Sequence, residues 1–136
     1  MTHHFFWQSS NLHNFTDLIV ISLTKLSKLK SLDLSNCHQM TEIGAQAILE
    51  RINLTNLSMC GAILVSEATI IRLIETLTDL EKLDLSACNI TDATLHAIMH
   101  HSKSLKTIAL IACPDITEDG LMLLFDTVPD LEITLE

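Results

Sequence analysis

The chain contains few of the residues that mark phosphate-binding loops and nucleic-acid-binding surfaces. Its 136 residues include 3 glycines, 2 prolines and no tyrosine, and lysine and arginine together number 8. Three isolated glycines cannot form the glycine-rich loop that cradles phosphate groups. A formal net charge of −9 argues against a basic face for nucleic-acid phosphates or for anionic membranes. We therefore expect neither nucleic acid nor membrane as a partner.

Long apolar segments are also missing, although 48% of the residues are hydrophobic. No apolar run approaches the roughly 20 residues that a membrane-spanning helix needs. Residues 1–7 lack the basic and then apolar order of a secretory signal. We expect a soluble cytoplasmic protein, or one in a host cytosol if the chain is a secreted effector.

Basic residues are absent from the last part of the chain. No lysine or arginine follows Lys106, whereas seven acidic residues do: Asp115, Glu118, Asp119, Asp126, Asp130, Glu132 and Glu136. This asymmetry predicts that a basic partner surface is steered toward the C-terminal end.

Apolar residues recur along the chain with a fixed spacing. Equivalent leucines stand 25 or 26 residues apart, at Leu29, Leu54, Leu80, Leu105 and Leu131. Most units read L-x-x-L-x-L-x-x-C, and this alternation predicts a short strand with one buried face. An apolar residue, a hydroxyl and an acid follow, as in Ile90-Thr91-Asp92. We expect the hydroxyl to cap a helix and the acid to lie in its positive first turn.

The units resemble leucine-rich repeats of the cysteine-containing type known from F-box proteins, with the pattern L-x-x-L-x-L-x-x-C-x-x-I-T-D-x-G-L-x-x-L. The resemblance covers about residues 15–136. Departures are Ala62 at a cysteine position and Thr69 and Thr94 at the glycine position. The resemblance implies an α/β fold, a right-handed β-α solenoid with parallel strands on the concave face and helices on the convex face.

The repeat pattern predicts a single domain over residues 1–136. Its predicted parts are an N-terminal cap and partial repeat (1–28), four full repeats (29–53, 54–79, 80–104 and 105–130) and a truncated last strand (131–136). Phe15-Thr16-Asp17 opens an N-terminal helix whose own strand we expect to be missing or degenerate. Phe5-Phe6-Trp7 is interpreted either as a cap folded over the first repeat or as a docking patch.

No set of residues nominates a catalytic, cofactor-binding or metal site, so we predict a protein that is not an enzyme and needs no cofactor. His96 and His100 are spaced like metal ligands, but the helical pattern places them on the solvent side. The serine, aspartate and histidine residues form no recognisable triad motif.

The cysteines are interpreted mainly as structural residues. The resemblance implies that Cys37, Cys88 and Cys113 point inward as reduced thiols that meet backbone groups, and a disulfide between Cys88 and Cys113 is the alternative. Cys60 follows two inward-pointing residues by alternation, so we expect it to face outward and to be the thiol that reacts with reagents.

The outward positions of the strands predict a binding face in the concavity. They form three columns: Ser31, Asn56, Lys82 and Thr107; Asp33, Ser58, Asp84 and Ala109; Ser35, Cys60, Ser86 and Ile111. The face becomes apolar near Ala109 and Ile111, and we expect Ile133 and Leu135 to extend that patch.

The leading functional hypothesis is a non-catalytic module that binds a partner protein through this face. The resemblance adds a role in substrate recognition linked to ubiquitin ligase machinery, as a fragment or as a pathogen effector. The alternative is a small structural adaptor or assembly factor that forms a homodimer through its open C-terminal edge strand.

Overall fold

A computed structural model describes residues 5–8, 17–51 and 53–136. Strands and short helices alternate along this part of the chain. The strands are β1 (Phe5–Gln8), β2 (Leu29–Asp33), β3 (Asn56–Ser58), β4 (Lys82–Asp84), β5 (Thr107–Ala109) and β6 (Glu132–Thr134). The helices are α1 (Asp17–Leu23), α2 (Glu42–Arg51), α3 (Glu67–Thr76), α4 (Asp92–His101) and α5 (Glu118–Thr127).

All six strands form one parallel sheet in chain order, β1 to β6. Leu57 of β3 pairs with Leu32 on one side and with Leu83 on the other, so equivalent residues of successive repeats stack. Each helix lies beside the next one on one side of the sheet. The predicted α/β solenoid is confirmed, and the division of the chain into the repeats given above stays a prediction.

The core lies between the sheet and the helices. The five aligned leucines, whose equivalence the 25-residue spacing predicts, are all buried. On the helix side, α3 buries Ile70, Leu73 and Ile74 at the spacing of one helical stripe. A buried leucine stabilises the fold by about 1.5–3 kcal/mol relative to an exposed one. Because each strand and helix buries its apolar side only against its neighbours, stability depends on the interfaces between repeats.

The turn that follows each strand from β2 to β5 requires a left-handed backbone conformation. The φ angles are +63° at Asn36, +81° at Gly61, +55° at Ala87 and +56° at Ala112. Glycine and asparagine adopt this region readily, whereas an alanine there costs roughly 1–2 kcal/mol. Ala87 and Ala112 therefore hold a conformation that the stacked turns impose on them.

The strand before α1 is present in an irregular form. β1 pairs in parallel with β2, and the pairing has an irregularity between Phe5 and Phe6. This matches the expectation of a degenerate strand and excludes that of a missing one. The aromatic segment Phe5-Phe6-Trp7 lies in β1, while its interpretation as a cap or a docking patch depends on side chains outside the described residues, as does the predicted role of Phe15 and Thr16.

The expected position of Ile133 and Leu135 on the concave face is wrong. β6 pairs with β5 so that Ile133 lies opposite Ile108, and Thr134 lies opposite Ala109. Counting from Leu131, this register is one residue shorter than in the other repeats. A one-residue slip moves every side chain of a strand to the other face. The slip packs Ile133 against the core and leaves Glu132 and Thr134 at the outward positions.

Carboxylates join the N-terminal ends of neighbouring helices. Asp17 of α1 accepts hydrogen bonds from the backbone N and the Oγ1 of Thr41, at 2.9 and 2.5 Å. Glu42, Glu67 and Asp92 bind the N-cap hydroxyl residue or its backbone N–H in the same way in the following repeat. Their partners are Ser66, Thr91 and Thr117. We call each such arrangement a clasp.

The clasps exist in two forms that match the length of the acid. Where the acid is aspartate, the residue three positions after the N-cap is Gly44 or Gly120. A Cβ atom added at Gly120 would lie 2.4 Å from the Asp92 carboxyl group. Where the acid is glutamate, that residue is a threonine whose hydroxyl donates to the carboxylate, as Thr94 does to Glu67 at 2.9 Å. Thr69 and Thr94, which depart from the family pattern, are thus the matched partners of the longer acid.

The clasp hydrogen bonds favour the charged form of the acids. Burial raises the pKa of Glu67, but hydrogen bonds from Thr91 and Thr94 lower this pKa further than burial raises it. The net pKa of Glu42 is lowered in the same way, with Thr69 and Ser66 as donors. Hydrogen bonds from Thr117 lower the pKa of Asp92 below its ordinary value. The clasps are therefore formed by carboxylates at neutral pH.

Among the described helices, none has the length and apolar character that a membrane crossing requires.

Candidate protein-interaction site

The strand register assembles the predicted columns on one face of the sheet. Asn56 lies between Ser31 and Lys82, and Ser58 lies between Asp33 and Asp84. β5 continues both columns with Thr107 and Ala109. The third column follows from ladder hydrogen bonds just beyond the strands, such as Gly61 N to the Ser86 carbonyl at 2.9 Å.

Eleven of the twelve predicted face residues are half-buried or exposed, and Ser86 is buried. The Ser86 hydroxyl accepts a hydrogen bond from the backbone N–H of Ile111 at 3.1 Å. The Asp84 carboxylate in turn accepts from the Ser86 backbone N–H at 2.9 Å. Ser86 therefore supports the face from below and is not available as a contact residue.

The N-terminal half of the face carries a connected polar network. Ser35 donates to Asp33 through both its backbone N–H and its hydroxyl. The Ser35 and Ser58 hydroxyls lie 2.7 Å apart and link β2 to β3. These bonds fix the carboxyl group of Asp33 while one of its oxygens still points to the open face. A shallow depression of about 170 Å³ lies over the middle strands, lined by these side chains together with Asn56, Lys82 and Asp84.

The two aspartates of the face lie on strands separated by β3. Asp33 and Asp84 are therefore about two strand spacings, near 10 Å, apart. Within the described residues neither carboxylate takes part in an ion pair. The arrangement leaves two negative charges available to a cationic group that approaches the concavity.

Cys60 lies at the edge of this network and is half-exposed, in agreement with its predicted outward position. Burial raises the pKa of the Cys60 thiol, and the negative charges of Asp84 and Asp33 raise it further. A raised pKa leaves little thiolate at neutral pH, so the structure argues against the predicted reactivity of Cys60.

The other cysteines connect neighbouring repeats through hydrogen bonds. The Cys88 thiol donates to the Met59 carbonyl at 3.1 Å, and the Cys113 thiol donates to the Leu85 carbonyl at 3.3 Å. Burial is the main cause that raises the pKa of Cys88 to about 11. All four cysteines are free, so the alternative of a disulfide between Cys88 and Cys113 is wrong.

The remaining predicted site residues divide into two groups. Ala109 and Ile111 form the small apolar end of the face, next to Glu132 and Thr134 of β6. His96 and His100 lie exposed on α4, away from the sheet face. Across the described residues, no group of three or more histidine, cysteine or acidic side chains is arranged to hold a metal ion.

Sequence reasoning missed the clasps and the positive φ angles. The clasps had a signal in the sequence, because Asp17 and Asp92 are followed by Gly44 and Gly120, whereas Glu42 and Glu67 are followed by threonines. The spacing in each case is 27 or 28 residues, so the pairing is visible only when two neighbouring repeats are compared.

Comparison with known protein families places this architecture among the leucine-rich repeats. A family model described as "Leucine Rich repeat" matches residues 25–49 and 76–99. The chain is 28% identical over 127 residues to the F-box protein YLR352W of Saccharomyces cerevisiae. That match covers 90% of this chain but only 15% of the yeast protein.

A solved structure shows the same fold. The match comes from the crystal structure of the yeast Rad7 and Elc1 complex, with a TM-score of 0.52 and 16% identity. It covers 90% of this chain and 45% of the matched chain. The family match and both similarities support the predicted resemblance to F-box leucine-rich-repeat proteins.

Proposed function

We propose that this chain, a leucine-rich-repeat protein that resembles the F-box type, is a non-catalytic module that binds a partner protein through the concave sheet face. The observation that carries the proposal is the register of β2 to β5, which aligns eleven accessible, predominantly polar side chains on one regular surface. Regular sheet faces of solenoids present extended binding surfaces of this kind.

The chemistry of the face indicates which partner segment it fits. Asp33 and Asp84 offer two carboxylates, and serine and asparagine hydroxyl and amide groups lie between them. A lysine or arginine side chain of the partner would bind between the aspartates, and a small apolar group would pack near Ala109 and Ile111. The absence of an aromatic anchor on the face favours modest affinity.

Similarity to a yeast F-box protein supports a finer proposal, in which the face recognises a substrate for ubiquitin ligase machinery. The cytosol fits this role, because the four free cysteines suit a reducing compartment. A host cytosol fits equally if the chain is a pathogen effector. The finer proposal predicts that captured partners are ubiquitylated more when the chain is present than when it is absent.

The proposed face is tested by capture of partners from a lysate with two matched double variants. Asp84→Lys with Ile111→Glu changes the concave face, and Glu50→Lys with Ile43→Glu makes the same kinds of change on the exposed surface of α2. We expect the first variant to lose the partners that the wild type and the second variant retain. Recovery of the same partners with all three proteins would show that the concave face is not the binding surface.

The alternative function is a structural adaptor that self-associates through its C-terminal end. It is supported by the outer edge of β6, which has no neighbouring strand within the described residues, and by Leu135, which is exposed beside it. Light scattering of the wild type and of Leu135→Lys tests this alternative. A dimer that the substitution dissociates would support it, whereas a wild-type monomer at high protein concentration would exclude it.

A further inference from the structure

The last helix exposes apolar positions that the preceding helix buries. Leu95 of α4 is fully buried, whereas Leu121 at the equivalent position of α5 is half-buried. Phe125, equivalent to the half-buried Met99, has 46% of its surface exposed. The same difference separates the buried Ile90 from the half-buried Ile116.

These positions border an open depression at the C-terminal end of the solenoid. It has a volume of about 480 Å³ and extends from Leu110 and Cys113 past Ile116 and Leu121 to Leu135. The corresponding side of each earlier repeat is covered by the helix of the next one. The solenoid itself therefore shows what kind of element covers such a surface.

Glu118 marks where that element would begin. It occupies the first position of α5, as Asp17, Glu42, Glu67 and Asp92 do in α1 to α4. Each of those four acids is clasped to the N-terminal end of the following helix. Within the described part of the chain Glu118 has no such partner, and its side chain is exposed.

We propose that the C-terminal end, formed by Glu118, the open depression and the exposed side of α5, docks an amphipathic helix of a partner protein. This helix runs parallel to α5 and has a serine or threonine N-cap that binds Glu118. A threonine three residues further on completes the clasp, because the acid here is a glutamate and the glutamate clasps of this chain pair with threonine. The apolar side of the partner helix covers Leu121 and Phe125.

The charge of this end fits the N-terminus of a helix better than it fits a second copy of the chain. Seven carboxylates and no lysine or arginine follow Lys106. A helix N-terminus carries a partial positive charge and unsatisfied N–H groups, which carboxylates bind favourably. Two-fold docking of two such ends would instead bring like charges together, which opposes association.

A probe helix taken from this chain tests the proposal directly. A second copy of residues 90–103 is joined after Glu136 by a flexible glycine-serine linker of about 15 residues. In its native place this segment follows the glutamate Glu67, and it donates to that carboxylate from Thr91 and Thr94. The linker gives the probe an effective concentration in the millimolar range, so that weak docking is observable.

Docking is measured by amide hydrogen exchange of α5 and β6. We expect the appended helix to slow the exchange of amides in residues 116–125 by about tenfold or more relative to the chain with the linker alone. Thr91→Val and Thr94→Val, made only in the appended copy, keep the shape of the side chains and remove both hydroxyls. They should abolish most of the protection, as should Glu118→Gln in the chain.

Each other outcome contradicts the proposal. Equal protection by the threonine and valine probes would show that apolar contact alone directs docking and that Glu118 forms no clasp. An absence of protection with every probe would show that the end binds no helix. Protection of α5 in a dimer of the unextended chain would identify a second copy as the occupant.

Discussion

Residues 80–104 and residues 105–130 follow the same sequence pattern, but only the first group is covered on both sides. Leu95 and Cys88 are buried in the inner repeat, while Leu121 and Cys113 remain half-buried in the last one. The acids differ in the same way, because Asp92 is clasped to the next helix and Glu118 is not. The comparison teaches that a residue of the repeat pattern gains its energetic role from the neighbouring repeat, since the pattern itself is nearly constant.

Truncation of equivalent leucines gives the largest expected difference between the two repeats. Leu95→Ala removes a fully buried side chain and should lower the free energy of unfolding by about 2–5 kcal/mol. Leu121→Ala should cost roughly half as much or less, because part of its surface is already in water. Urea denaturation of both variants measures the difference, and equal losses would show that exposure does not set the energetic weight of these positions.

An exchange of clasp forms tests whether the acid and its partner are matched by size. Gly120→Thr places a Cβ atom against the Asp92 carboxyl group and should destabilise the chain by about 1–2 kcal/mol. Asp92→Glu should destabilise it alone, but together the two substitutions recreate the form found at Glu67 and Thr94. We expect a favourable coupling of about 1 kcal/mol in the double-mutant cycle.

The inner repeat supplies the control for that cycle. Glu67→Asp with Thr94→Gly makes the reverse exchange and should show coupling of the same sign. Additive effects in both repeats would show that the correlation between acid length and clasp partner has no energetic basis.

The two acids should also differ in the pH dependence of stability. Asp92 has a lowered pKa in the folded chain, so it binds a proton less readily there than in the unfolded chain. Its contribution is therefore present above the ordinary aspartate pKa of about 3.9 and is lost as the pH falls through the folded value. Asp92→Asn should cost about 1 kcal/mol at pH 7, and progressively less as the pH decreases toward 3.

Glu118→Gln is the matched control for this measurement and should change stability little at any of these pH values. The checking experiment is a series of urea titrations between pH 7 and pH 3. A cost of Asp92→Asn that does not depend on pH would indicate that its charge is unimportant to the clasp.

The turns should behave alike in the two repeats and give the smallest effect. Ala87→Gly and Ala112→Gly each replace an alanine with φ near +55° by a residue that adopts this conformation freely. Each should raise stability by up to about 1 kcal/mol, because relief of backbone strain outweighs the added entropy of the unfolded chain. A gain at one position only would mean that the turns, as well as the packing, distinguish the repeats.

The spacing of the leucines was sufficient to predict the solenoid, because residues that recur with one period in a solenoid share one interior. Alternation along each strand likewise predicted the concave face. The slip of β6 was not predictable from the leucine alignment, since burial of Ile133 in place of Thr134 decides the register there. Burial of Ser86 depends on the backbone N–H of Ile111 in the next repeat, which no single-repeat pattern describes.

The two clasp forms also restrict which repeat can be removed from the gene. Excision of residues 54–79 would place Glu42 against Thr91 and Thr94, and this junction joins a glutamate to a threonine as before. Excision of residues 80–104 would place Glu67 against Gly120, where the longer acid finds no second hydroxyl. The order of the repeats is thus part of the information in the sequence, and shuffled arrays of the same units would differ in their tolerance of recombination.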